Sequence, residues 1–420
     1  MRILYNLGIY LYWCAISLAC PFNNKAKLFK EGRKGLLEKI KRELSGTERI
    51  IWFHSASVGE FEQARPLIEW IKENKPQYKI ALTFFSPSGY QLRKNYAKAD
   101  WVFYLPIDTP RNAKAFLQAV KPEIAIFVKY EFWYNYLTQL KKQGIPTYII
   151  CSIFRPEQNF FKWYGGFFRK MLYCFTTLFV QDKTSAQLLS SIGLTENVQI
   201  CGDTRFDRVN QIASKSSPIP AVATFTENSF PIIAGSTWPP DEELFAAQLR
   251  NLSGERIKLV LVPHEIAPSH IEGILKTFSG HRCELYTEIA KLQEEEERAE
   301  RLRRADVLII DTIGMLSSIY RYGKCAYIGG GFGVGIHNTL EAAVYGIPVL
   351  FGPKYHKFRE ARALIGLRSS ESISNGEELR KILQTLISNP KELETRGAIA
   401  REYVESNLGS TSAIIERIGL

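Results

Sequence analysis

No CxxC pair occurs in this 420-residue chain, and its seven cysteines, at positions 14, 20, 151, 174, 201, 283 and 325, are an odd number without zinc-site spacing. A disulfide framework and a structural zinc are therefore excluded, and a reducing cytosol fits. Also missing are a GxGxxG fingerprint, a GxxxxGK[S/T] loop and a DxD pair. Dinucleotide and P-loop readings lose support, and neither a divalent cation nor another cofactor is expected in catalysis. Long apolar runs are scarce, the tract nearest to membrane-spanning length being the 18 uncharged residues 3–20. With 45% hydrophobic and 23% charged residues, disorder, collagen and coiled coil fail as overall descriptions, and the length suits two or three domains.

Much of the +11 net charge sits at one end: residues 1–42 hold nine Lys/Arg against Glu31 and Glu38, a net +7. Such an asymmetry calls for an anionic partner, nucleic acid or membrane. The uncharged tract just before Lys25 favours an anionic membrane surface and no nucleic acid. As a helix, residues 3–20 would be about 27 Å long against a hydrocarbon core of about 30 Å, so the tract could span marginally or lie in the interface. Basic residues on its C-terminal side place the rest of the protein on the cytoplasmic face of the inner membrane. A cleaved signal peptide would carry its basic residues before the apolar stretch. The plain alternative is a core helix of the first domain. The stretch 155–170 interleaves Phe160, Phe161, Trp163, Tyr164, Phe167 and Phe168 with Lys162, Arg169 and Lys170, a pattern that also suits a bilayer interface.

Beyond residue 25, short apolar runs alternate with helical patterns. Strands are expected at 49–54, 79–85, 123–128, 146–151, 177–181 and 198–201, then at 231–234, 258–262, 307–310, 325–328 and 348–351, with helices at 61–75 and 112–120 among those between. Runs apolar throughout indicate parallel sheets covered on both faces. The Ser/Pro-rich stretch 211–230 is the linker candidate. The fold class is thus α/β: a membrane-associated segment at 1–24, an α/β domain at 25–210, the linker, and a second α/β domain at 231–420, the two facing a cleft. A terminal helix is expected to pack back across the junction.

In open α/β sheets ligands bind beyond the carboxyl ends of strands, so the loops after strands are where chemistry is sought. In His54-Ser55-Ala56-Ser57-Val58-Gly59-Glu60, Glu60 stands at a helix start, as a cap or as a general base. Glu131 follows the strand at 123–128 in the company of Lys129, Tyr130 and Trp133. Arg205, in Asp203-Thr204-Arg205-Phe206-Asp207, offers a cation for phosphate or carboxylate, or a salt bridge to Asp207. Gly235-Ser236-Thr237 followed by Asp241-Glu242-Glu243 suits anion binding. The glycine-rich turn at 329–338 leads into a helix carrying Glu341, and residues 346–353 close a pattern suited to a nucleotide sugar. The residues alone leave open another nucleotide-sugar enzyme, such as a UDP-sugar transferase or epimerase, or a non-catalytic membrane- or nucleic-acid-binding protein.

The ordered motifs HSASVGE at 54–60, KYEFW at 129–133, GDTRFD at 202–207, GSTW at 235–238, LVPH at 261–264, DTIGML at 311–316 and GIHNTLEAAVYGIPVLFGP at 335–353 resemble those of the 3-deoxy-D-manno-octulosonic acid (Kdo) transferase family of lipopolysaccharide biosynthesis. The resemblance implies two Rossmann-like domains of the GT-B type, with CMP-Kdo on the C-terminal domain and a lipid A precursor on the N-terminal one. It implies Glu60 as general base, and Glu131 and Arg205 as transition-state stabilisers. CMP contacts would fall on Pro263, His264, Ile313, Gly314, Met315, Gly335, Ile336, His337 and Asn338. Three positions depart from the family pattern: Lys129 and Met315 stand where glutamate is usual, and His264 where arginine is usual.

Overall fold

The computed structural model describes every residue except 45, 254 and 255. It divides into two compact units: Met1–Arg208 with Leu408–Leu420, and Val209–Asn407. Each is built on a seven-stranded sheet whose pairings are all parallel.

The strands of the first unit are β1 (Arg49–Ser55), β2 (Tyr78–Phe84), β3 (Trp101–Tyr104), β4 (Ile124–Val128), β5 (Thr147–Ser152), β6 (Thr177–Val180) and β7 (Val198–Ile200), in the order β3-β2-β1-β4-β5-β6-β7. Six of the seven residues of β1, and all of β4 and β5, are buried, because helices cover both faces of a parallel sheet. Strand order reverses between β1 and β4, whose neighbouring carboxyl ends open the crevice expected at a switch point.

The second unit contains β8 (Phe230–Thr237), β9 (Ile257–Pro263), β10 (Cys283–Leu285), β11 (Val307–Ile309), β12 (Cys325–Ile328), β13 (Val349–Phe351) and β14 (Ser370–Ser372), in the order β10-β11-β9-β8-β12-β13-β14. Its switch point lies between β8 and β12.

Three differences from the sequence reading have physical causes. Strands β3, β10 and β14 were not expected: each is a sheet edge of three or four residues with a single neighbour, and β14 is Ser-Glu-Ser. The stretch 211–230 is not an open linker, since the helix Thr204–Lys215 runs through the boundary between the units and Pro220–Thr226 forms another, with Pro220 in its first turn. The tract 3–20 is helical (Arg2–Ala19), but among the described residues no helix is long and apolar enough to cross a membrane. Asn6 and the hydroxylated rings of Tyr5, Tyr10 and Tyr12 dilute its hydropathy.

That first helix has no buried residue. The Tyr5 hydroxyl donates to Asp108 Oδ2 at 2.6 Å, and Asn135 Nδ2 donates to Asn6 Oδ1 at 2.9 Å. Tyr12 and Trp13 lie against Phe29, while Ile3, Leu4, Leu7, Leu11 and Leu18 are exposed. The C-terminal helix Ser410–Ile418 returns to the first unit as expected: Asp207 accepts from the Gly409 and Thr411 N–H groups, and Ile414 and Ile415 join the core around β1 and β4. Asp207 thus caps that helix and is not the partner of Arg205.

Candidate active site

At the first switch point the loop after β1 runs into the helix Val58–Asn74. Glu60 is its third residue, and its Oε2 accepts from the Ser57 N–H at 2.8 Å and the Ser57 hydroxyl at 3.0 Å. The carboxylate is therefore a cap, as half of the sequence reading had it, but only one of its oxygens is used; among the described residues Oε1 has no hydrogen-bond donor. Burial raises the Glu60 carboxyl above the ordinary range, and the nearby Glu131 carboxylate pushes in the same direction. A half-satisfied carboxylate with raised basicity is what a general base requires.

The loop after β4 begins with Lys129 at φ +65°. A left-handed non-glycine residue costs about 1–3 kcal/mol and persists only where its surroundings hold it. Two residues on, Glu131 is buried, with Oε2 2.7 Å from Trp133 Nε1 and 2.9 Å from His54 Nε2. His54, the sixth residue of β1, is fully buried and meets Thr83 of β2 through Nδ1. The structure thus brings Glu60 and Glu131 to one crevice. It adds His54 and Trp133, whose site roles the sequence reading missed although both stand inside quoted motifs. The available signal was a histidine at the end of a strand otherwise buried and apolar.

Arg205 opens the helix Thr204–Lys215. Its Nε donates to Asp203 Oδ2 at 2.9 Å, and Asp203 also accepts from Gln63 and Gln181. Burial alone would raise the Asp203 carboxyl, but the Arg205 cation and these hydrogen bonds outweigh it and hold the group below its usual range. Arg205 is thus a positioned, partly exposed guanidinium.

In the second unit the loops after β8, β9 and β12 meet. His264 stacks between Trp238 (4.8 Å between ring centroids) and His337 (4.4 Å), and the His264 N–H donates to the Thr237 carbonyl. Burial, with the neighbouring His264, lowers the His337 imidazole to about 4, so it is neutral at pH 7. Pro263 ends β9, opposite Thr237. Gly331 packs so closely on Gly352 that a Cβ would lie 2.5 Å from its Cα. Gly335 has φ +139°, and Ile336 is buried. Asn338 turns inward, accepting from the Leu340 N–H and donating to Glu341. Ile313 is exposed, Gly314 is left-handed, and Met315 precedes the short helix Leu316–Ile319. Asp241 and Glu242 do not await an anion. Asp241 accepts from the Trp238 and Gly330 N–H groups and the Tyr327 hydroxyl, and Glu242 from Thr237, with His270 alongside. These acids hold the loops, a role the sequence reading did not give them.

Residues 30–208 match the family model described as 3-deoxy-D-manno-octulosonic-acid transferase (kdotransferase). The chain is 27% identical over 364 residues to the 3-deoxy-D-manno-octulosonic acid transferase of Aquifex aeolicus, covering 84% of this chain and 90% of that protein. It is 26% identical over 364 residues to the enzyme of the same name from Rickettsia bellii, covering 85% and 84%. Among solved structures, the UDP-GlcNAc 2-epimerase of Neisseria meningitidis bound to UDP-GlcNAc shares the fold, with a TM-score of 0.61, 15% identity, and coverage of 88% of this chain and 99% of that one. The two parallel α/β units have a GT-B-type fold, and these likenesses indicate a glycosyltransferase similar to the 3-deoxy-D-manno-octulosonic acid transferases.

Proposed function

We propose that the protein moves Kdo from CMP-Kdo to a lipid A precursor, with inversion, at an anionic membrane surface. Glu60 Oε1 takes the proton of the acceptor hydroxyl, whose oxygen forms the new bond to the anomeric carbon. The bond from that carbon to the CMP phosphate breaks, and CMP leaves with the electron pair. Glu131 stabilises the oxocarbenium character that develops in between, and Arg205 the departing phosphate. On the second unit, Pro263, His264, residues 313–315 and residues 335–338 receive CMP. The observation carrying this reading is Glu60: a carboxylate fixed through one oxygen, made more basic by burial and open at the other, at a switch point. The test is to incubate the protein with CMP-Kdo and lipid A precursor and separate products by mass. A Kdo adduct, formed equally in EDTA, is expected. No adduct overturns the reading, and loss in EDTA restored by Mg²⁺ overturns its metal-free chemistry.

The exposed stripe Ile3, Leu4, Leu7 and Leu11 and the fully presented Trp163 suit insertion at the cytoplasmic interface of the inner membrane. A cavity of about 610 Å³ between Trp13 of the first helix and residues 20–34, where Lys27, Lys30, Arg33 and Lys34 outnumber Glu31, suits a phosphorylated amphiphile. Deleting residues 1–24 should weaken sedimentation with anionic vesicles while CMP binding persists. Unchanged sedimentation would transfer the anchoring role to residues 155–170.

A further inference from the structure

The hydrogen bonds around His54 determine how many protons the site holds. Nδ1 lies 3.2 Å from the Thr83 carbonyl and 2.9 Å from Thr83 Oγ1. The carbonyl only accepts. The Thr83 hydroxyl receives the Trp52 indole N–H at 2.8 Å and has the Phe53 carbonyl at 3.3 Å to take its own proton, which leaves its oxygen able to accept from His54. The Thr83 carbonyl, which has no other role open to it, points to a hydrogen on Nδ1. On the other side, the single N–H of Trp133 lies 2.7 Å from Glu131 Oε2 and 3.2 Å from His54 Nε2, and the shorter contact claims it. The remaining 2.9 Å contact between Nε2 and Oε2 needs one proton of its own. Whether that proton sits on the imidazole or on the carboxyl, the pair has no net charge.

We propose that His54 is a positioning residue that locks Glu131 into a charge-neutral pair, leaving Glu60 as the net negative charge of this crevice. The assignment rests on the transferase reading above, in which Glu60 is the base. A bare carboxylate at Glu131 would disfavour ionisation of Glu60, whereas a neutral pair spares the base most of that penalty. Trp52, Phe127 and Trp133 surround the His54 ring with uncharged aromatic faces, so Glu131 and Glu60 are the charged groups it meets. Glu60 faces Glu131, His54 and Ser57, and also Tyr130, which itself lies near Arg155 and Asp182.

The test is the pH profile of kcat/KM for Kdo transfer by the full chain. His54→Asn leaves Glu131 uncompensated, so the acid limb should move up by about one pH unit or more. Glu131→Gln, whatever it does to the rate, replaces one neutral group by another and should leave the limb at its wild-type position, as should the double variant. A limb that stays in place in His54→Asn, or moves down in Glu131→Gln, overturns the proposal. Nitrogen NMR of the ¹⁵N-histidine-labelled wild type, with His54 assigned through its contacts to Trp52 and Phe127, decides independently of catalysis and of any folding defect. A protonated Nδ1 is expected, and a bare Nδ1 overturns the assignment. Absence of transfer by the wild type would count against the proposed function and leave this proton to the NMR result.

Discussion

In the N-terminal unit the loops at the switch point end in ionisable groups held by hydrogen bonds, Glu60 on Ser57 and Glu131 on His54 and Trp133. In the C-terminal unit the corresponding loops end in glycines and stacked rings, with Gly331 against Gly352 and His264 between Trp238 and His337. Two seven-stranded parallel sheets of different strand order therefore present hydrogen-bonded carboxylates in one unit and close-packed backbone and flat rings in the other. A carboxylate needs tuning by its neighbours, whereas a nucleotide needs backbone that approaches closely and flat surfaces beside it. Both units nevertheless place a left-handed non-glycine residue beside the crevice, Lys129 at φ +65° and Ser236 at φ +55°.

The contrast is broken most severely by Glu60→Gln. It should lower turnover by about 10²–10⁴-fold while calorimetric CMP affinity stays at the wild-type value; loss of CMP affinity instead would mean that the carboxylate shapes the donor site. Gly331→Ala should do the reverse. The added Cβ meets Gly352 backbone, so the C-terminal unit should lose about 1–3 kcal/mol by denaturant titration, with weakened CMP binding, and unchanged binding would show that the turn can give way.

Acid titration sharpens the comparison, because the units should respond with opposite sign. Burial raises the Asp108 carboxyl to about 6, so the folded N-terminal unit binds a proton there that the unfolded chain does not hold between about pH 4 and 6. That stabilisation is complete below the unfolded value and is lost as pH rises through 6. Burial lowers His337 to about 4. The unfolded chain then takes up the proton first, and the C-terminal unit loses stability as pH falls from 6.5 towards 4. Relative to the wild type, Asp108→Asn should gain in Tm, and His337→Asn should lose, as pH rises from 4.5 to 7. Slopes of the same sign would refute one assignment. The smallest effect is Tyr5→Phe: Asp108 keeps the Asn135 and Tyr136 N–H groups, so the loss should be about 1 kcal/mol, seen as earlier proteolysis within the first helix and not as a change in CMP affinity.

The interior strands and the glycine-rich turn could be read from the chain because burial on both faces leaves an unbroken apolar run, and a strand followed by small residues marks a crevice. What escaped was set by tertiary contact. An edge strand such as Ser370–Ser372 has one neighbour and no need of apolar side chains. Asp241 and Glu242 stand at a helix start like any surface acid, and only the folded chain shows them turned inward onto Gly330 and Thr237. Arg205 had two acidic candidates at nearly equal spacing, and the helix Ser410–Ile418, some 200 residues away, claims one of them. The cap made by Glu60 was legible because it depends on residues within three positions, whereas the contacts of His54 come from Thr83 of another strand and Glu131 of a loop.

Ribosomal synthesis gives the returning C-terminal helix a temporal meaning. Ile414 and Ile415 complete the core beneath β1 and β4, yet they emerge only after every residue of the second unit. The second unit has all its strands available first, and the core beneath the crevice of Glu60 and Glu131 stays unfinished until residues 408–420 have followed. A chain terminated before residue 408 would expose apolar core in the first unit while leaving the second intact.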